Sequence, residues 1–397
     1  MTKYASIVPL IGGETIGMQQ VWGTRPEYIL SYSPFEANDR QLLNYYNNDV
    51  PYYKLDQGGS APYRVDVVNT VCPCAGLSSL SPTSNSNSDH NDWMIKSAEY
   101  VLEEMQPTVF WGENAPRLAS KMGEPIVNKL RKIGKKNGYT MSIYKTKSIL
   151  HGLSQIRDRC FYFFWKGNEV PVFAFYKNLL RETIEETIRG AATNEPDEMT
   201  DLQCKTSKPS ENPYYRFVLE EMEGGITHQE FFNKIEKTTN PLHYIEDKGV
   251  KYKDVSLWMK ANGYDHLVEK CVKMHEKLES GGNLMRKTTE IGKNYIGAFV
   301  GHFPMELTHP DQDRYINVRE ALEIMKMPKD FQLQGGKKNV NMICQNVPVT
   351  TARDMAFNVS AYLGGHLTTH KSDFAVQDNK TTKFWKEPEP STLEEFF

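Results

Sequence analysis

The sequence is short of several things, and each shortage excludes a class of protein. No apolar run approaches the roughly 20 residues that a membrane span needs. The N-terminus, MTKYASIVPLIGGETIG, has neither a basic leader nor a small-residue cleavage site. A cytoplasmic place of action is therefore expected, or the host cytoplasm if the protein is viral. Cysteines occur at 72, 74, 160, 204, 271 and 344, with no CxxC pair and no zinc-like spacing, which argues against a disulfide framework or a metal knuckle. No bound metal is expected. Net charge is only −3, so a generic coat for polyanions is also excluded. Internal repeats are absent.

What is present is ordinary in bulk and uneven in detail. A chain of 397 residues with 39% apolar content suits a globular protein of two or three domains. Between Arg117 and Arg159 eleven Lys or Arg stand against Glu124 and Asp158 alone. Such a cluster in an acidic protein reads as a contact surface for a phosphate backbone, the alternative being a solvated helix face.

The first 165 residues alternate short apolar runs with helix-like segments. ASIVPLIG, EYILSYS, YRVDVVNTV, TVFWGEN, TMSIYK and CFYFFW read as strands. That alternation predicts a mostly parallel sheet with helices on its faces, an α/β fold. From Lys166 to about His309 the pattern turns helical, in FYKNLLRETIEETIRG, HQEFFNKIEK and YDHLVEKCVKMHEKLES, and reads as an inserted second domain. After Pro310 two further helical segments are expected to close back onto the first domain. From about Thr368 the chain reads as a polar, mobile tail.

The residues that carry chemistry sit at or just past candidate strands. IVPLIGGETIG breaks at Gly12-Gly13, where glycine lets backbone approach a ligand, and Glu36 follows at a spacing suited to ribose hydroxyls. In VVNTVCPCAG, proline ends the pairing of a strand, so Cys74 falls at a strand's C-terminal end, where open α/β sheets bind ligands. Cys72 reads as a small apolar filler. WGENAP follows with Glu113, then GLSQIRDR with Gln155, Arg157 and Arg159.

In this order the motifs resemble those of the DNA (cytosine-5) methyltransferases. Pro73-Cys74 with Gly76 and Ser78 is similar to the family's Pro-Cys-Gln-Gly-Phe-Ser loop, Glu113-Asn114-Ala115 to its Glu-Asn-Val, and Gly152 to Arg159 to its Gly-Val-Pro-Gln-x-Arg-x-Arg run. ICQNVPVTTA resembles its closing Gly-Asn-x-Val-Pro motif. Val8 and Leu10 depart from the family's Phe-x-Gly-x-Gly-Gly.

The resemblance implies a Rossmann-like domain that binds S-adenosyl-L-methionine, formed by residues 1–165 and 306–367. It also implies a smaller inserted target-recognition domain over 166–305 and a tail over 368–397. It implies Cys74, Glu113, Arg157 and Arg159 as catalytic residues. Gly12, Gly13, Glu36, Asp56, Gln345, Asn346 and Val347 would contact the cofactor, and double-stranded DNA would be the partner. Cys74 would add to carbon 6 of a flipped cytosine, with the tract from Ser79 to Asp92 as a mobile loop that closes over the base.

Related readings are a tRNA cytosine-5 methyltransferase and a catalytically silent DNA-binding relative. A third, resting on Gln345 in place of the family's asparagine, is transfer of a modified methyl group. Leu393, Phe396 and Phe397 at the C-terminus resemble peptides that dock on replicative sliding clamps.

Overall fold

The computed structural model describes residues 1–73, 76–77, 85, 88–174, 182–191, 204–284, 291–299 and 306–385. Its strands are β1 (Tyr4–Ile7), β2 (Ile29–Ser31), β3 (Tyr52–Lys54), β4 (Val67–Thr70), β5 (Val109–Asn114), β6 (Tyr139–Lys147) and β7 (Gln155–Ile156). They continue with β8 (Asp158–Lys166), β9 (Glu169–Pro171), β10 (Ile296–Gly297), β11 (Thr369–Lys371), β12 (Phe374–Gln377) and β13 (Thr382–Trp385). Nine of them form one sheet in the order β13-β12-β6-β8-β5-β4-β1-β2-β3. Each of the six apolar runs read as strands supplies one of its members.

The sheet is parallel except at two places. β8 runs antiparallel to both β5 and β6, and β13 antiparallel to β12. The first reversal has a local cause. β6 ends in a tight turn over Ser148–His151, closed by Gly152 at φ 84°, and the chain returns with no crossover helix. A connection that short allows only an antiparallel neighbour.

β8 is buried on both faces, as its unbroken apolar run requires. Phe163 stacks on Trp111 with ring centroids 5.7 Å apart, and Phe164, one residue on and therefore on the opposite face, stacks on Phe110 at 5.7 Å.

Helices α1 (Gly13–Trp22), α2 (Glu36–Tyr45), α3 (Asp92–Tyr100) and α4 (Glu124–Lys136) connect the strands of the first half. The helix Val349–Leu363 packs along α1, as the sequence led one to expect of the closing segment. The approach is close. A Cβ on Gly17 would lie 2.7 Å from the Arg353 backbone nitrogen and 2.8 Å from the Ala352 Cβ, so this position tolerates only glycine.

Two expectations about organisation need correcting. The chain after Thr368 is not a tail as far as Trp385: β12 pairs with β6, β13 pairs with β12, and Phe374 and Ala375 belong to the main core. Four-residue strands in polar surroundings give little signal, and these form because the edge of β6 needs a partner. Residues 386–397, with Leu393, Phe396 and Phe397, lie outside the described residues.

The segment 166–305, expected as one inserted unit, does not share a single core among the described residues. β9 pairs with β11, and Ile184 and Ile188 of α5 (Ile184–Arg189) share a core with Ile296, Leu307 and Ile316, to which Ile16 of α1 and Ile29 of β2 also belong. Among the described residues a separate apolar core spans Tyr214 to Ile291, built by helices such as Tyr252–Ala261 and Asp265–Glu279. Among the described residues no helix is long and apolar enough to cross a membrane.

The basic segment divides between two ends of the sheet. Lys145 and Lys147 lie toward the C-terminal end of β6, on the side where β5 also ends. α4 descends from β5 to the start of β6 and carries Arg131, Lys132 and Lys135 to the opposite end, where they line a shallow cavity with Tyr139, Met141 and Asp373. Lys136 there pairs with Glu103 at 2.8 Å. The expectation of a single phosphate-contacting surface from Arg117 to Arg159 therefore does not hold.

Candidate active site

The C-terminal ends of β2, β1, β4 and β5 line one edge of the sheet. The loop leaving β1 is strained: Val8 and Leu10 adopt φ of 53° and 54°. Left-handed backbone costs a non-glycine residue roughly 1–2 kcal/mol, and a β-branched valine there is unusual. Asp39 braces the loop from α2. Its fully buried carboxyl lies beside the Leu10 backbone and Ser31, and accepts a hydrogen bond from Tyr52 Oη at 2.9 Å. Burial, foremost, pushes its pKa up to about 7.

Gly12, at φ 92°, caps α1. The Gly13 amide donates to Asn346 Oδ1 at 2.9 Å, and a Cβ on Gly13 would lie 2.0 Å from the Val347 carbonyl oxygen. Gly13, next to Gly12, thus packs against Asn346 and Val347 of the closing motif.

Gln345 does not join them. It is exposed and accepts a hydrogen bond from Asn38 Nδ2 of α2 at 3.2 Å. α2 follows β2, which lies three strands from β5, about 14 Å at the usual strand spacing. The side chain is thus engaged away from the end of β5, and a modified transferred group loses the support that Gln345 was expected to give.

At the ends of β2 and β3, Glu36 forms ion pairs with Lys54 and Arg40. Hydrogen bonds from Lys54, then from Arg40, hold its carboxyl below the ordinary range. Asp56 accepts the Ser33 amide at both oxygens, each at 3.0 Å, which ties the end of β3 to the turn preceding α2. Both carboxylates thus stand on adjacent strand ends.

At the other end of the edge, Arg159 Nε and Glu113 Oε1 form a largely buried ion pair. Strand pairing dictates the meeting, because Glu113 of β5 stands opposite Phe161 of β8 and Arg159 lies two residues along the same face. Thr70, the last residue of β4, is in register with Gly112, so the chain leaving β4 passes beside Glu113. Cys74 and most of the tract from Ser79 to Asp92 lie outside the described residues. Nearby, Cys72 is buried, with its thiol pushed up to about 11 by burial, and it contacts Thr70 Oγ1 at 3.2 Å, as suits a filler.

Arg157 is put to a different use from the one expected. It is 1% exposed, and its guanidinium donates to the carbonyls of Phe299 at 3.0 Å, Cys344 at 2.7 Å and Asn346 at 3.1 Å. It clamps the closing motif and the segment after β10 to the sheet, and its donors point at backbone. Gln155 is fully buried near Met325.

The sequence reading missed Asp39 and Glu14. Glu14 is fully buried beneath the same edge, linked to Asn69 and influenced by Glu113. A carboxylate immediately after a glycine pair, followed by apolar Ile16, is an irregularity that could have flagged it.

Among solved structures, the chain is similar to one described as a DNA modification methyltransferase encoded within a prophage (E. coli). The TM-score is 0.58 at 16% identity, covering 92% of this chain and 100% of that one. It is also similar to the Entamoeba histolytica methyltransferase EhMeth, with a TM-score of 0.52 at 11% identity, covering 91% and 99%. These likenesses concern the fold. No curated protein matches the sequence. The model of one family, described as C-5 cytosine-specific DNA methylase, matches residues 10–360, and with most of its length so matched the chain belongs to that family.

Proposed function

We propose that the protein transfers a methyl group from S-adenosyl-L-methionine to carbon 5 of a cytosine in double-stranded DNA, in the cytoplasm of the cell that holds that DNA. The observation that carries the reading is the buried Glu113–Arg159 pair at the end of β5, beside the chain that leaves β4 toward Cys74. Carbon 5 of cytosine is a poor nucleophile, and addition of the Cys74 thiolate at carbon 6 would make it reactive. Glu113 would supply a proton or hydrogen bond at N3 as charge develops there, and Arg159 holds that carboxyl in place. Loss of the carbon 5 proton and of Cys74 would then restore the ring.

Geometry supports the residues expected to hold the cofactor. Gly13 is pressed so closely to Val347 that backbone forms the floor of the loop, and Glu36 and Asp56 stand at neighbouring strand ends where the two hydroxyls and the adenine of an adenosine would reach. When bound, the cofactor supplies an electrophilic methyl group. The helical unit from Tyr214 to Ile291, with its own core, is the candidate for target recognition. A base within a duplex must be flipped out to reach this edge.

Methyl transfer from labelled cofactor to duplex DNA, set against tRNA, tests the reading. Incorporation into DNA is expected, and incorporation into tRNA alone would replace it with the RNA reading. Cys74→Ala should abolish transfer with DNA binding retained, and Glu113→Gln should slow it by about 10²–10⁴-fold. Native protein should be trapped covalently on DNA carrying 5-fluorocytosine. Trapping that persists in Cys74→Ala would show that another residue is the nucleophile. A silent relative would show neither transfer nor trapping.

A further inference from the structure

Glu14 is the one acidic residue in the first turn of α1, and none of it is exposed. Its Oε2 accepts a hydrogen bond from Asn69 Nδ2 at 2.8 Å. Asn69 Oδ1 accepts in turn from Ser6 Oγ, which lies 2.8 Å from Thr15 Oγ1. Side chains from β1, α1 and β4 thus fix the direction of this carboxyl. Its other oxygen, Oε1, meets no hydrogen-bond donor among the described residues. A buried acceptor left in that state costs about 1–3 kcal/mol, which is hard to account for as a contribution to folding alone.

The groups around Glu14 explain what it lacks. Glu113 acts on it from β5 with like charge, and Asn69 faces it from β4. Tyr162 approaches from β8 with a buried hydroxyl that also has no partner, and Tyr162 in turn feels Cys72, just past β4. Among the described residues that act on Glu14 none is a cation, and the nearby Arg159 is engaged by Glu113. Burial, foremost, and the charge of Glu113 keep the Glu14 proton in place well above the ordinary carboxylate range.

The methyl donor of the proposed function carries two positive groups at its methionyl end, a sulfonium and an α-ammonium. α1, from which Glu14 projects, begins in the glycine pair that this donor would approach. Resting on that reading, we infer that the partnerless Oε1 of Glu14, fixed in direction by Asn69, is an anchor for the donor's positive charge and that the carboxyl gives up its proton as the donor binds. The only bond broken is the O–H of Glu14, whose proton passes to the buffer, while the donor's cation takes its place against Oε1. Cofactor binding is then coupled to the release of about one proton per molecule bound.

Calorimetric titration of native protein with S-adenosyl-L-methionine, near neutral pH in phosphate and in Tris, tests this. The binding enthalpy should differ between the buffers as release of about one proton requires, and the affinity should rise with pH by up to tenfold per unit. In Glu14→Gln, which keeps an oxygen for Asn69, binding should be about 10–100-fold weaker, by the usual worth of a buried charge-assisted contact. That variant should show smaller buffer dependence and a flatter pH profile. The cofactor's own amine titrates in the same range, so the difference between the two proteins is the quantity read.

S-adenosylhomocysteine, which keeps the ammonium and lacks the sulfonium, separates the two cations. Release with both ligands assigns the ammonium, and release with the methylated one alone assigns the sulfonium. Equal proton release by native protein and Glu14→Gln overturns the inference. If native protein binds neither ligand, the donor reading itself falls.

Discussion

At the scale of the residue, the unusual investment lies beneath the sheet edge, in carboxyls that a soluble protein normally leaves in water. Asp39 has a measurable consequence. The folded protein holds its proton up to about pH 7 because burial penalises the charge. The unfolded chain releases it near pH 4, as an ordinary aspartate does. Between those values folding takes up a proton, so this group's contribution is fully present below about pH 4 and is lost as pH rises toward 7. Glu14, raised for the same reason, contributes with the same sign. In Asp39→Asn the decline of stability from pH 4 to 7 should be shallower than in native protein by a few kcal/mol, read from urea unfolding at each pH. Equal slopes would mean that Asp39 titrates normally.

At the scale of the element, the closing motif depends on Arg157. Three carbonyls from two distant segments converge on one guanidinium, and no other residue type offers that many donors in a fixed plane. Arg157→Met keeps the bulk and removes the donors. It should lower stability by about 2–4 kcal/mol, since buried carbonyls lose their partners, and displace Asn346 from the Gly13 amide. Thermal unfolding and cofactor affinity should therefore fall together. A variant that keeps its stability and loses only turnover would return Arg157 to the role of a residue that touches the base.

At the scale of the whole molecule, the sheet is finished by the chain's own far end. Truncation after Leu367 would strip β12 and β13 from β6, expose a strand edge and open the core at Phe374. That protein should be insoluble or should unfold at a markedly lower temperature. Truncation after Trp385 keeps all nine strands. It should unfold within a few degrees of native protein and retain activity on short oligonucleotides. Circular dichroism melts of the two truncations decide whether β12 and β13 belong to the structural unit.

The sequence by itself determined what is local. Six apolar runs became six strands, because burial on both faces of a sheet leaves no choice of residue type. Gly12 and Gly13 declared a tight loop, and Glu113 and Arg159 were legible because each lies within a strand-end motif of its own. Only the tertiary structure decided what each distant segment supplies to another. Gly13 and Asn346 meet across 333 residues. Arg157 looked like its neighbour Arg159 in sequence, yet it falls in the break between β7 and β8 and donates to backbone carbonyls, whereas Arg159, inside the β8 ladder, is held opposite Glu113. Glu14 and Asp39 were missed in the sequence, because it is packing and not residue type that removes water from them. The last strands gave almost no signal, since a four-residue strand acquires its stability from the edge it joins, and that edge does not exist until the rest of the sheet has formed.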